Sequence, residues 1–375
     1  MKIKAAVIRQ MELPPPYARS RPIAIETVEL DPPGPGEVLV QVKAAGLCHS
    51  DLSVITGDRP RPMPTAMGHE GAGIVAEVGA GVADLKRGDH VVFVFMPSCG
   101  HCGPCSDGRP ALCEPGLGAN TVGTLLTGAR RIRDAGGNPI NHQVGVSCFA
   151  EYSVCARQSL IKVDPDLPLD LAALFGCAVV TGMGAVVNAA QVPPGASVAV
   201  VGLGGVGLSA LLGAITAGAG RVVAVDTLKH KLDFARQLGA TDTFDASEAD
   251  CADKLRAATK GGVDYAVEAA SSAKALELAY RITRRGGTTV TVSLPHPTHT
   301  AAVPAANLTV EERTLKGSYI GSAVPTRDIP RFLALYRQGK LPIDRLISDR
   351  LRLDQINEGF DRLASGDAVR QMIVF

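Results

Sequence analysis

Gly202, Gly204 and Gly207 stand in a GLGGVG run between a β-branched apolar stretch, SVAVV over 197–201, and a second apolar run, LSALLGAITAGA. A strand that turns through closely spaced glycines into a helix is the start of a βαβ unit. Gly202 permits the tight turn and Gly204 lets backbone approach a pyrophosphate. Gly207 allows close helix-to-strand packing, while free N–H groups at the helix start bind the anion. Alone, the glycine pattern also describes ordinary glycine-rich turns. Here a second strand pattern, RVVAVD, ends on Asp226, 19 residues past Gly207. An acid at that position accepts hydrogen bonds from ribose hydroxyls and repels a 2′-phosphate, so NAD is favoured over NADP. The competing reading of Asp226 is a helix N-cap.

The texture around this motif extends the inference. After about Ala178, SVAVVGLGG, RVVAVD, DTFDA, VDYAVEAA and TTVTVSLP alternate with helical stretches such as KHKLDFARQLGA and SAKALELAYRIT. Strands separated by ten to fifteen helical residues predict a parallel, doubly wound α/β sheet. From 28 to roughly 92 the chain instead reads as short β-branched runs broken by Gly and Pro, a barrel-like β texture. Residues 99–145 read as loop, with little apolar periodicity. Past Tyr319, one more helix pattern, IPRFLALYRQGK, precedes a tail ending in QMIVF, read as returning to the first domain.

A length of 375 residues predicts two domains. The 38 Lys+Arg balance 37 Asp+Glu with no run of like charge, which argues against nucleic acid or another polyanionic partner. The start, MKIKAAVIRQ, lacks an apolar core and a cleavage site, so the expected compartment is the cytoplasm. Residues 196–220 are uncharged and long enough to span a membrane, but their glycines split them into strand and helix, and no membrane association is expected.

Nine cysteines in such a chain point to metal before disulfides. Cys99, Cys102, Cys105 and Cys113 lie within fifteen residues of glycine-rich loop. Four thiolates close a tetrahedral shell and leave no open position, so this site is structural. His101 inside the loop reads as a solvated side chain. Cys48 in GLCHSD, His69 in GHEGAGIVAEVG and Cys177 in FGCAVVTG are far apart, and spacing alone does not unite them. Each could equally be a buried core residue.

GHEGAGIVAEVGAGV, the four-cysteine lobe and GLGGVGLSALLGAITAGAGRVVAVD occur in the order found in the zinc-containing medium-chain alcohol dehydrogenases, which the chain resembles from about residue 25 to 375. The resemblance implies a GroES-like β-rich catalytic domain over 1–178 and 320–375, with a structural zinc lobe at about 97–115, and a Rossmann domain over 179–319. It implies two zinc ions per chain, NAD, and reversible hydride transfer to or from a primary or secondary alcohol. Cys48, His69 and Cys177 then hold the catalytic zinc, Asp51 orients His69, Glu70 lies behind the metal and Ser50 takes the alcohol proton. Around the cofactor it places His49 and Arg370 at the pyrophosphate, Lys231 near the adenosine ribose, and Thr181 and Val206 against the nicotinamide. Lys231 and Arg370 could instead be solvated surface charges. Phe95, Val144 and Ile320 fall where the family lines its substrate pocket, which implies an apolar or aromatic alcohol. A homodimer or homotetramer is expected.

One departure stands out: Ser53 occupies the position where many members carry a histidine that passes the proton to solvent. Two rivals remain. The same scaffold supports a thiol-adduct formaldehyde dehydrogenase, but residues 116–128 offer no Lys or Arg for an acidic thiol carrier, and Arg130, Arg131 and Arg133 read as a solvated face. The other is a non-catalytic dinucleotide sensor, since fold does not guarantee chemistry.

Overall fold

The computed structural model describes residues 1–375 and divides them into two units. The first takes Met1–Cys177, Val324–Pro330 and Ile347–Phe375; the second takes Ala178–Ala323 and Arg331–Leu346. The return after residue 320 is therefore shared between the units. Residues 331–346 stay with the second because Phe332, Ala334 and Leu335 line a cavity there with Met183 and Val187.

In the first unit, strands Lys2–Ile8, Ile23–Leu30, Ile132–Arg133, Pro139–His142 and Thr65–Ala66 close a small barrel. A second sheet is centred on Glu37–Gly46, which pairs antiparallel with Gly71–Val78, Tyr152–Ala156 and Arg370–Val374. Alternation along these strands turns Val38, Val40 and Val42 into one core with Val75, Val91, Phe93, Phe149 and Ile373. The 99–145 stretch is more ordered than its apolar pattern suggests. It holds a helix, Glu114–Val122, whose Leu117 and Val122 face solvent, so no periodic apolar face announces it.

The second unit is a six-stranded parallel sheet in the order Asp242–Asp245, Arg221–Asp226, Ser197–Val201, Val263–Glu268, Thr283–Thr291, Thr314–Gly317. Its order reverses at Ser197–Val201, the switch point outside which doubly wound sheets bind ligands. Helix Lys229–Leu238 shows how the crossovers form: Leu232, Ala235 and Leu238 are buried on one face, and Gly239 ends it at φ 112°. The uncharged 196–220 stretch is divided into strand Ser197–Val201 and helix Gly205–Thr216. No single helix is long and apolar enough to cross a membrane.

Candidate active site

Strand register assembles the first site. At the end of Glu37–Gly46, Ala45 pairs with Gly71 and Gly46 with Met372. The Gly46 N–H donates to the Glu70 carbonyl at 2.9 Å and the Leu47 N–H to the Gln371 carbonyl at 3.0 Å. Cys48 is thereby set beside His69, Glu70 and Arg370, just before helix His49–Ile55. Cys177 arrives from Gly176, whose missing side chain allows it against the Phe93 carbonyl; an added Cβ would lie 2.2 Å from that oxygen.

Cys48, His69 and Cys177 are all buried, and their ligand atoms lie within 4.8 Å of one another. The two sulfurs are 4.0 Å apart and Cys177 Sγ is 3.4 Å from His69 Nε2. A tetrahedral zinc with ordinary bond lengths requires edges of about 3.8 Å and about 3.5 Å, so the donor set fits that ion. Only three protein donors converge, which leaves a position for a small ligand.

The charges agree with a cation between them. Burial opposes protonation of His69, but the negative charges of Asp51 and Cys48 raise it to about 10. The Cys48 thiol is held well below its ordinary value by the hydrogen bond with Cys177 and, beyond that, by the charges of Arg370 and His69. Asp51 is fully buried and accepts from His69 Nδ1 at 2.7 Å and from the Cys48 N–H at 3.1 Å. Asp51 thus holds the Nδ1–H edge of His69, and Nε2 is turned toward the sulfurs. Glu70 Oε2 lies 3.3 Å from Arg370 Nη2, and Arg370 Nη1 donates to the Leu47 carbonyl at 2.8 Å. The surface-charge reading of Arg370 is thus overturned: the residue is 3% exposed.

The second cluster is local. Cys99, Cys102, Cys105 and Cys113 also bring their sulfurs within 4.8 Å of one another. Backbone N–H groups of Cys99 and Gly116 donate to Cys113 Sγ at 3.2 and 3.4 Å, and that of Cys102 to Cys99 Sγ at 3.3 Å. Such donors favour thiolates, and those of His101 and Cys102 lower the Cys99 thiol to about 7. His101 is exposed, with Nδ1 2.9 Å from the Cys99 carbonyl, so four sulfurs form the set without it.

In the second unit, Gly202 adopts φ 91° and a Cβ on Gly207 would lie 1.7 Å from the Gly202 carbonyl, whereas one on Gly204 would meet nothing within 4 Å. Turn and helix contact consume the space at two glycines, and the third leaves its backbone approachable. Asp226 Oδ2 accepts from the Leu203 N–H at 2.7 Å and Oδ1 from the Leu228 N–H at 3.0 Å. The N-cap of the following helix is Leu228, so the capping alternative for Asp226 is set aside. Lys231 is half-buried in that helix. Thr181 is buried beside Gly182, which packs on the Val206 carbonyl. Ile320 is buried at φ 49°.

Other expected residues fall in the first unit. His49 is exposed and Ser50 half-buried in the first turn of their helix. Ser53 donates its hydroxyl to the His49 carbonyl at 2.9 Å. Phe95 meets His69 edge-to-face with ring centroids 5.2 Å apart, and Val144 is buried at φ 43°. The solvated face read from Arg130, Arg131 and Arg133 holds for the exposed Arg133 and is corrected for the other two. Arg131 Nε lies 2.7 Å from Glu37, which is fully buried and needs a counter-charge, and Arg130 donates to Asn141 at 2.8 Å. Gln143, at the hub beside Asp51, went unread because no motif encloses it.

Residues 34–165 match the family described as alcohol dehydrogenase GroES-like domain, and 205–338 the family described as zinc-binding dehydrogenase. The chain is 40% identical over 376 residues to geraniol dehydrogenase of Castellaniella defragrans, covering 99% of this chain and 97% of the relative. The crystal structure of benzyl alcohol dehydrogenase from Acinetobacter calcoaceticus superposes with a TM-score of 0.92 at 33% identity, covering 100% of this chain and 99% of that one. A zinc-binding dehydrogenase of Sinorhizobium meliloti, bound to NADP, superposes with a TM-score of 0.80 at 26% identity over the full length of both chains.

Proposed function

The chain belongs to the zinc-containing medium-chain dehydrogenase family and is a zinc-dependent alcohol dehydrogenase, and from that premise we propose that it carries two zinc ions, prefers NAD and acts reversibly on an apolar or aromatic alcohol. The observation that carries this reading is the convergence of the Cys48, His69 and Cys177 ligand atoms within 4.8 Å, separate from a closed four-cysteine set. The alcohols for which two relatives are named, geraniol and benzyl alcohol, support the substrate class. The carboxylate of Asp226 supports NAD, because a 2′-phosphate there meets a like charge. Nine free cysteines suit a reducing, cytoplasmic compartment. The exposed edge strand Thr314–Gly317 suits a homodimer or homotetramer.

When bound, zinc supplies Lewis-acid polarisation of an alcohol or carbonyl oxygen, and the nicotinamide ring supplies the hydride acceptor or donor. The chain does the rest. Ser50 Oγ takes the alcohol proton, and Ser53, engaged with the His49 carbonyl, leaves water as the next acceptor. Asp51 holds the His69 proton on Nδ1. Phe95 and Val144 keep water from the substrate side of the first unit's site, and Ile320 is read, by the family's pattern, as a further substrate-pocket residue. His49 and Lys231 supply positive charge to the cofactor, with Thr181 and Val206 against its nicotinamide. Arg370 holds Glu70, adds positive charge beside the Cys48 and Cys177 thiols, and is read as reaching the cofactor pyrophosphate as well.

The test is NADH absorbance on mixing the purified protein and NAD with geraniol, benzyl alcohol and short aliphatic alcohols, alongside metal analysis. Two zinc per chain and turnover strongest with the larger alcohols are expected. Cys48→Ser should remove one zinc and all turnover in a folded protein, whereas Cys113→Ser should mainly lower stability. Turnover of formaldehyde only with glutathione present points to the thiol-adduct rival. Failure to reduce NAD or NADP with every alcohol while two zinc remain bound overturns the reading.

A further inference from the structure

Gln143 joins the two parts of the catalytic metal site that the backbone leaves separate. Its Nε2 donates to Asp51 Oδ1 at 2.8 Å, the same oxygen that accepts from His69 Nδ1 at 2.7 Å. Its Oε1 accepts from the Gly68 N–H, one residue before His69. The amide orientation is forced, because a carboxylate can only accept and a backbone N–H can only donate. Gln143 is 3% exposed and Asp51 fully buried, so water does not substitute for either bond.

The turn carrying Gln143 is itself held at several points. The Gln143 N–H donates to Ser147 Oγ at 3.0 Å, and Ser147 Oγ donates to the Ala66 carbonyl at 2.8 Å. The Gln143 carbonyl accepts from the Val146 N–H at 3.1 Å. Val144 and Ser147 adopt φ of 43° and 45°, and a β-branched residue in the left-handed region persists only where its surroundings over-determine it. The fold thus keeps an unfavourable turn that presents one amide to Asp51 and Gly68.

From this geometry we infer that Gln143 is a positioning residue for the catalytic zinc, setting the angle of His69 through both its carboxylate partner and its backbone. The inference rests on the reading of Cys48, His69 and Cys177 as zinc ligands. Outer partners of metal ligands typically alter metal affinity by about tenfold to a hundredfold. Gln143→Met keeps the shape and removes both hydrogen bonds. Gln143→Glu keeps the acceptor for Gly68 and loses the donor to Asp51.

The experiment follows zinc release from the holoenzyme to a chromogenic chelator, with the four-cysteine zinc as internal reference, and the visible spectrum after cobalt replaces the catalytic zinc. Gln143→Met is expected to release the catalytic zinc about tenfold faster, with the reference phase unchanged, and to shift the cobalt bands. Gln143→Glu should do the same, and it carries the test alone should the methionine variant not fold. A release phase that Cys48→Ser abolishes but that both Gln143 variants leave unchanged, with wild-type cobalt spectra, overturns this inference alone. Absence of any phase that depends on Cys48 overturns instead the zinc reading beneath it.

Discussion

Arg370 Nη2 and Glu70 Oε2 face each other at 3.3 Å with side chains only 4% and 0% exposed, so each buries the other's charge directly behind Cys48 and His69. Removing one partner leaves an uncompensated charge in a low-dielectric interior. Glu70→Gln and Arg370→Met should each destabilise the fold by about 3–5 kcal/mol, and the double variant should lose far less than their sum. Denaturant unfolding of the four proteins measures this. Additive losses would show that the pair does not act as a unit.

What could be read from the sequence divides by distance along the chain. The glycine turn, Asp226 and the four-cysteine lobe are local, and their spacing alone carries their chemistry. Cys48, His69 and Cys177 need the register of Glu37–Gly46 on Gly71–Val78 and the packing of Gly176 on Phe93, which no local pattern encodes. Gln143 and the Arg131 partnership with Glu37 are tertiary in the same sense. Helix Glu114–Val122 escaped because its apolar residues point outward, and the burial of Arg370 shows only once its strand is paired on Glu37–Gly46.

Asp226 anchors the glycine turn through Leu203, and the proposed NAD preference adds a role at the ribose. Asp226→Gly should therefore raise KM for NAD by about tenfold, the worth of one or two hydrogen bonds, while KM for NADP stays level or falls. Steady-state kinetics with both cofactors checks it. A native enzyme that already uses NADP as well as NAD would contradict the assigned preference.

His142 is 1% exposed, and burial, reinforced by the charges of Arg130 and Arg131, lowers it to about 4. Its Nε2 accepts from the Arg131 N–H at 3.1 Å, which requires the neutral ring. The folded value lies below the unfolded one of about 6.5, so this group's stability is fully present above that pH and is lost as pH falls toward 4. The loss amounts to about 3 kcal/mol. Urea unfolding across that window should show a steeper acid decline for the native chain than for His142→Gln, which keeps an acceptor without a titrating ring. Parallel curves would remove His142 from the acid response.

Ser50 stands two residues after Cys48 in the first turn of helix His49–Ile55, and in the proposed relay its hydroxyl takes the proton of the substrate alcohol. The alcohol proton must leave before hydride transfer can be completed, and a positioned hydroxyl in that step typically contributes about a hundredfold to ten-thousandfold. Ser50→Ala should cut turnover by that order while zinc content and NADH binding stay level, and Ser50→Thr should retain much of the rate because the hydroxyl survives. Ser53 already donates its hydroxyl to the His49 carbonyl, so it contributes helix geometry more than proton movement, and Ser53→Ala should cost less than tenfold. Alcohol oxidation rates across pH for the three variants, with metal content measured in each, separate a relay role from a packing role. An alanine variant at Ser50 with wild-type turnover would take the residue out of the mechanism and leave water as the first acceptor of the proton.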